Sequence, residues 1–80
     1  LQITIPEDLD YRQALNDVLG RYTTSYSLKQ IRMTAMGSLY VLQYQIRRDP
    51  DTDVKAFLDT LRTRNGNLAI YLQLDAAVTG

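Results

Sequence analysis

Residues 27–47, SLKQIRMTAMGSLYVLQYQIR, contain two runs of alternating apolar and polar residues on either side of a glycine. Alternation of apolar and polar residues with period two indicates strands that are covered on one face. The covered face is predicted to hold Ile31, Met33 and Ala35 in the first run, and Tyr40, Leu42, Tyr44 and Ile46 in the second. Gly37, between the runs, can supply the positive φ that a tight turn requires. The stretch therefore predicts an antiparallel hairpin.

A strand and a helix precede this hairpin. Residues 1–5 alternate with Ile3 and Ile5 on the apolar side, and Pro6 ends the run. Asp10 followed by Gln13 has the spacing of a helix N-terminal cap. Apolar residues then recur at helical spacing, which predicts a helix ending near Gly20 or Tyr22; they are Tyr11, Leu15, Val18, Leu19 and Tyr22.

A second helix and a last strand follow the hairpin. Pro50 suits a helix start, and Asp51 or Thr52 is the predicted cap. The apolar stripe of this helix is Val54, Phe57, Leu58 and Leu61. Asn65-Gly66 predicts its end, with Gly66 left-handed. Residues 68–74 alternate again and predict a final strand.

This order of elements predicts an α+β, ferredoxin-like βαββαβ sandwich. Right-handed crossovers favour a four-stranded antiparallel sheet with both helices on one face, a topology shared with ACT domains. We expect one domain over residues 1–75, cut from a larger chain, and a frayed tail over residues 76–80.

The composition excludes several kinds of chemistry. The chain has no cysteine and no histidine, so disulfides, thiolate nucleophiles, Cys/His zinc sites and imidazole acid–base catalysis are absent. Nine basic and nine acidic residues balance, whereas a nucleic-acid binder usually carries a basic excess. No apolar run approaches the roughly 20 residues of a membrane span. We expect no enzyme activity, no metal, no cofactor and no nucleic-acid partner.

The face of the sheet opposite the helices is the candidate interaction surface. Its residues are mostly amides with a few apolar side chains, a composition that suits an interface with another subunit. The candidate interface residues are Gln30, Arg32, Leu39, Val41, Gln43, Gln45, Tyr71 and Gln73. A solvated sheet face is the simpler alternative.

The chain also carries features of four other kinds of site. In an RNA-recognition module, aromatic residues project from the central strands, but here Tyr40 and Tyr44 fall on the core side. An ACT-type effector site would use the turn at Pro6, Glu7 and Asp8, which has the proline of such turns but lacks their glycine. Helix capping explains the carboxylates of residues 49–53 without calcium. The arginines of residues 47–48 and 62–64 are solvated charges or contacts to an anionic surface.

Four segments resemble one bacterial family of uncharacterised integral membrane proteins. They are residues 1–11, 34–40, 42–46 and 61–68, and the run Arg64-Asn65-Gly66-Asn67-Leu68 is the most distinctive. Members of that family have a few transmembrane helices followed by a cytosolic C-terminal domain, and are often encoded beside polyphosphate-polymerase-like proteins of the VTC type. The family offers no catalytic residues to carry over. A cysteine frequent between its two arginines is Thr63 here.

The resemblance implies a soluble tail at the cytoplasmic face of the bacterial inner membrane, attached to the membrane only through the parent chain. We expect a non-catalytic interaction or regulatory domain that self-associates, as a homodimer for example, or contacts a protein partner. An ACT-like small-ligand sensor is the first alternative, and an RNA-binding module is the second.

Overall fold

Six elements follow one another in the computed structural model, which describes residues 1–34 and 37–73. They are β1 (Gln2–Pro6), α1 (Tyr11–Tyr22), β2 (Ser25–Met33), β3 (Leu39–Arg47), α2 (Val54–Arg64) and β4 (Ile70–Tyr71). The predicted order of strands and helices is therefore confirmed.

The four strands form one antiparallel sheet in the order β2-β3-β1-β4. Strand β3 pairs with both β1 and β2, and β1 pairs with β4. Strands β1 and β2 therefore run parallel to each other with β3 between them, and α1 connects them. In the same way, α2 connects β3 to β4 across β1. The fold is α+β with a four-stranded antiparallel sheet and two helices, and it is compatible with a ferredoxin-like fold.

The core lies between the two helices and one face of the sheet. Its buried members are Ile3, Ile5, Leu15, Val18, Leu19, Leu42, Tyr44, Phe57 and Leu61. Tyr40 and Ile46 are partly buried and pack against this cluster. The predicted inward face of β3 is confirmed, because alternate β3 residues meet helix residues from both α1 and α2.

Each helix has an aspartate as its N-cap. The Asp10 side chain accepts a hydrogen bond from the Gln13 amide, as the spacing predicted. For α2 the prediction of Asp51 or Thr52 is wrong, because Asp53 is the cap and accepts from the Ala56 amide at 3.0 Å. The Thr52 hydroxyl instead donates to the Tyr22 carbonyl, which ties the start of α2 to the end of α1.

Two predicted turn glycines have positive φ, 73° at Gly37 and 74° at Gly66. Asn67 also has a positive φ, 61°, which asparagine adopts more readily than most residues. Asn65 is the C-cap of α2, so the predicted helix end is confirmed.

The predicted strands need corrections of their bounds and of their register. Strand β2 starts at Ser25, two residues before the predicted hairpin, and its register shifts between Leu28 and Gln30, so that Lys29 lies in a bulge. Strand β4 is limited to Ile70–Tyr71 instead of residues 68–74. Ala35, Leu74 and the predicted tail over residues 76–80 lie outside the described residues.

The solvent exposure of Ile31 and Met33 differs most from the sequence prediction. Their register partners are Leu42 and Tyr40, so they lie on the helix side of the sheet as predicted. However, they are 45% and 62% exposed. The β2 residue that packs against the core is Leu28. The helices cover the central strands β1 and β3 but not the part of β2 that contains Ile31 and Met33.

Candidate functional site

The face of the sheet that the helices leave uncovered is the candidate site, and we call it the open face. Residues directly opposite one another in paired strands share a face. One row across the sheet therefore runs from Gln30 through Gln43 and Gln2 to Tyr71. A second row joins Arg32, Val41 and Thr4. The register thus brings together candidate interface residues from three strands.

Of the remaining candidates, Leu39 and Gln45 extend the open face at its ends, and Gln73 has no register partner. Leu39 lies opposite Pro6, and Gln45 lies opposite Ser27 near the other end of β3. Gln73 follows β4, outside the strand, and is exposed. Leu39 and Val41 are half-buried, whereas Tyr71 is 73% exposed. A nearly bare tyrosine ring among amides is the most accessible apolar group on this face.

The charge of the open face is low and of one sign. Among the described residues of the two rows, Arg32 is the only ionised side chain. The cores of protein interfaces are poor in aspartate, glutamate and lysine and rich in tyrosine and arginine. The open face therefore has the composition of a protein contact surface.

The candidate ligand turn lies at one end of the sheet, beside the β2–β3 connection. The Glu7 amide donates to the Ser38 carbonyl, and the Leu9 amide donates to the Pro6 carbonyl. Glu7 and Asp8 are exposed. Two backbone donors that could hold an effector are thus already used, and ligand binding at Pro6, Glu7 and Asp8 stays a prediction.

The arginines near the end of α2 are engaged within the molecule. The Arg64 guanidinium donates to both carboxylate oxygens of Asp17, at 3.0 and 3.1 Å, and also to the Ala14 carbonyl. This hydrogen bonding lowers the pKa of the Asp17 carboxyl from its ordinary value of 3.8. Arg62 donates to the Asn67 side chain. The Arg64 contacts join the end of α2 to the middle of α1. An anionic surface would have to compete with these contacts for the two arginines.

The aspartates of the β3–α2 loop have structural roles. Asp53 caps α2, and the Asp49 side chain accepts from the Asp51 amide at 2.9 Å. Over residues 1–34 and 37–73, no three acidic side chains come together in a group that could hold a metal ion.

One tyrosine carries an unusual hydroxyl. Tyr44 is 4% exposed, and its hydroxyl has no hydrogen-bond partner within the described part of the chain. Burial raises the pKa of this hydroxyl to about 12. A groove of about 210 Å³ between α1 and β2 has Tyr44, Tyr11 and Tyr26 in its lining. These rings lie on the helix side of the sheet, away from the open face.

Sequence reasoning missed Asn65, which is fully buried. Its side-chain amide donates to the Thr4 carbonyl at 2.9 Å and to the Leu68 carbonyl at 3.2 Å. It thereby joins the end of α2 to β1 and to the segment that leads into β4. The signal available in the sequence was the Asn65-Gly66 helix stop, but a helix stop does not reveal that the side chain is buried.

A second groove, of about 520 Å³, lies between α2 and β4. Its apolar lining includes Val54, Leu58, Leu68 and Ile70. Half of the apolar stripe predicted for α2 therefore faces this groove, while Phe57 and Leu61 reach the core.

Comparison of the chain with protein families, curated proteins and solved structures finds no match. In the part of the chain that the structure describes, no helix is both long enough and apolar enough to cross a bilayer.

Proposed function

We propose that this domain is a non-catalytic interaction domain that acts through its open face, by self-association or by contact with a protein partner. The observation that carries the proposal is the accessible surface shared by β1, β3 and β4, on which Tyr71 is 73% exposed and carboxylates are missing from the described rows. A few residues supply much of the binding energy of protein interfaces, and tyrosine is among the residue types that do so most often.

We further propose a ferredoxin-like plait of ACT-like topology. Support comes from the strand order, which reads β4-β1-β3-β2 from the opposite edge, and from the two interleaved β-α-β connections. We also propose that the domain belongs to a bacterial membrane protein and lies at the cytoplasmic face of the inner membrane. The resemblance of residues 61–68 to a family of such proteins supports this location, and a wholly soluble parent chain would contradict it.

Sedimentation velocity over a wide concentration range tests self-association. We expect the weight-average mass of the wild type to rise with concentration. Gln43→Lys should weaken association by about tenfold, equivalent to about 1.4 kcal/mol, because it adds a cation to the centre of the face. Tyr71→Ala should weaken it by at least as much.

The matched controls change the same residue types elsewhere. Gln13 is exposed on α1 and Tyr26 is 36% exposed on the helix side of the sheet, so Gln13→Lys and Tyr26→Ala should leave association unchanged. Constant monomer mass for the wild type would reject self-association. Equal effects of Gln13→Lys and Gln43→Lys would reject the open face as the surface involved.

A further inference from the structure

Strand β2 is an edge strand, and none of the other described strands pairs with its outer side. It pairs with β3 on one side, and the sheet order places it at the end of the sheet. Backbone groups along a strand point alternately to its two sides. The Thr34 amide donates to the Leu39 carbonyl of β3 at 3.0 Å, so the amide and carbonyl groups of Ile31 and Met33 point away from β3. Two residues thus present four backbone groups to a further strand.

The side chains at this edge are apolar on the helix side of the sheet. Ile31 is 45% exposed and Met33 is 62% exposed. Both lie beyond the area that the helices cover, and an added strand would extend the sheet directly beside them. Three of the four large apolar residues with high exposure among the described residues, Tyr26, Ile31 and Met33, belong to β2.

The ionised side chains of β2 are both basic, although the whole chain is neutral. Residues 18–48 contain five basic residues and no acidic residue. Since the chain has nine of each sign, the remaining residues carry a net charge of −5. Lys29 and Arg32 of β2 are both exposed, Lys29 in the bulge and Arg32 on the open face.

We propose that the outer edge of β2 binds an extended acidic segment of a partner protein as an added strand. Main-chain hydrogen bonds to Ile31 and Met33 would hold the segment, its apolar side chains would cover these two residues, and its carboxylates would lie beside Lys29 and Arg32. This inference rests on the proposed function, because it names the partner chemistry of an interaction domain.

Charge disfavours a second copy of β2 as the occupant, and the side chains of the central strands disfavour RNA. A second copy of β2 would bring Lys29 and Arg32 of both copies together, and β2 has no carboxylate to offset that repulsion. Single-stranded RNA would stack on aromatic residues of the central strands. None of the β1 and β3 residues on the open face is aromatic.

The probe is a fluorescent, end-capped eight-residue peptide in which valine and glutamate alternate. Its binding to the protein is measured by fluorescence anisotropy. We expect saturable binding that weakens as salt rises, because the contact pairs opposite charges. A peptide with lysine in place of glutamate should bind at least about tenfold more weakly.

Arg32→Glu and Ile31→Pro separate the contribution of charge to peptide binding from that of main-chain hydrogen bonds. Arg32→Glu should weaken binding at least about tenfold, whereas Arg62→Glu, the same change on α2, should not. Ile31→Pro removes a backbone donor that points outward, so it should abolish binding while leaving the pairing of β2 with β3 intact. Circular dichroism melts verify that each variant is folded, and Met33→Pro provides a second block if Ile31→Pro fails to fold.

Four results would overturn the inference: no saturable binding up to about 1 mM peptide, equal binding of the lysine peptide, full binding by both folded proline variants, or displacement of the peptide by a uridine oligonucleotide but not by unlabelled peptide. Because Tyr71→Ala alters β4, at the opposite edge of the sheet from β2, failure of strand addition is distinguishable from failure of the proposed function.

Discussion

Asn65→Asp is the most informative single substitution because it changes one buried amide to a carboxyl of the same shape. Asn65 is fully buried, and its side-chain amide donates to the carbonyls of Thr4 and Leu68. An ionised aspartate has no hydrogen to donate, so its oxygens would face two carbonyl oxygens without water. The folded protein therefore favours the protonated acid, which can donate to one of the two carbonyls.

The size of the effect follows from the pKa. An aspartate carboxyl has an ordinary pKa of about 3.9, and each pKa unit corresponds to about 1.36 kcal/mol. Holding this carboxyl protonated at pH 7 therefore costs about 4 kcal/mol. The carbonyl left without a donor adds about 1 kcal/mol. A small domain is typically stable by about 5–15 kcal/mol, so the variant should be close to unfolding at neutral pH.

Thermal denaturation followed by circular dichroism between pH 4 and pH 7 is the assay. Because the carboxyl pKa is raised in the folded state, the destabilisation should be small near pH 4 and grow as the pH rises. At pH 7, Tm should fall by at least about 15 °C relative to the wild type. Asn67→Asp is the matched control, because Asn67 is exposed and its side-chain oxygen accepts from Arg62, which a carboxylate also does.

The refuting result is a Tm difference between Asn65→Asp and the wild type that is small at pH 7 or independent of pH. Either outcome would mean that the residue 65 side chain is solvated or that the two carbonyls have other donors, and the join between α2 and β1 would then be wrong.

Three other predictions concern different parts of the molecule. Tyr44→Phe should leave stability unchanged or raise it by up to about 1 kcal/mol, and it should remove the tyrosine that titrates near pH 12, because the buried hydroxyl has no partner in the described structure. Arg64→Gln should raise the pKa of Asp17 toward 3.8 in an NMR titration. Phe57→Ala should cost about 3–5 kcal/mol in denaturant unfolding, and Leu58→Ala clearly less, because Phe57 is fully buried and Leu58 is half-buried.

Each of these has an internal control. Tyr22→Phe removes a hydroxyl that contacts Thr60 at 3.5 Å, so a gain of stability there would contradict the reasoning for Tyr44. The Arg64 contact lowers the pKa of Asp17, so its stabilising effect exists above that group's unfolded pKa and is lost as the pH falls through the folded one. Asp59, whose partner is Lys55, should titrate as before in Arg64→Gln. Equal costs at positions 57 and 58 would contradict the placement of α2.

The residues of the open face were predictable because successive side chains of a strand point to opposite faces of the sheet. Alternation placed Gln43, Val41 and Tyr71 on the side away from the helices, and the register confirms that they share a face. The sequence did not predict that Lys29 and Arg32 lie in an edge strand, because the order of the strands in the sheet decides which strand is at the edge.

Local sequence therefore determined the elements, their inner and outer faces, the cap at Asp10 and the turns at Gly37 and Gly66, since these depend on neighbours within a few residues. How far each face is covered depends on the packing of elements that are distant in the chain. Ile31 and Ile5 both lie on the helix side of their strands, yet one is 45% exposed and the other is fully buried. This difference arises because helices of 12 and 11 residues cover the two central strands but do not reach the part of β2 that contains Ile31 and Met33. The burial of Asn65 and the pairing of Arg64 with Asp17 likewise depend on groups far away in the chain.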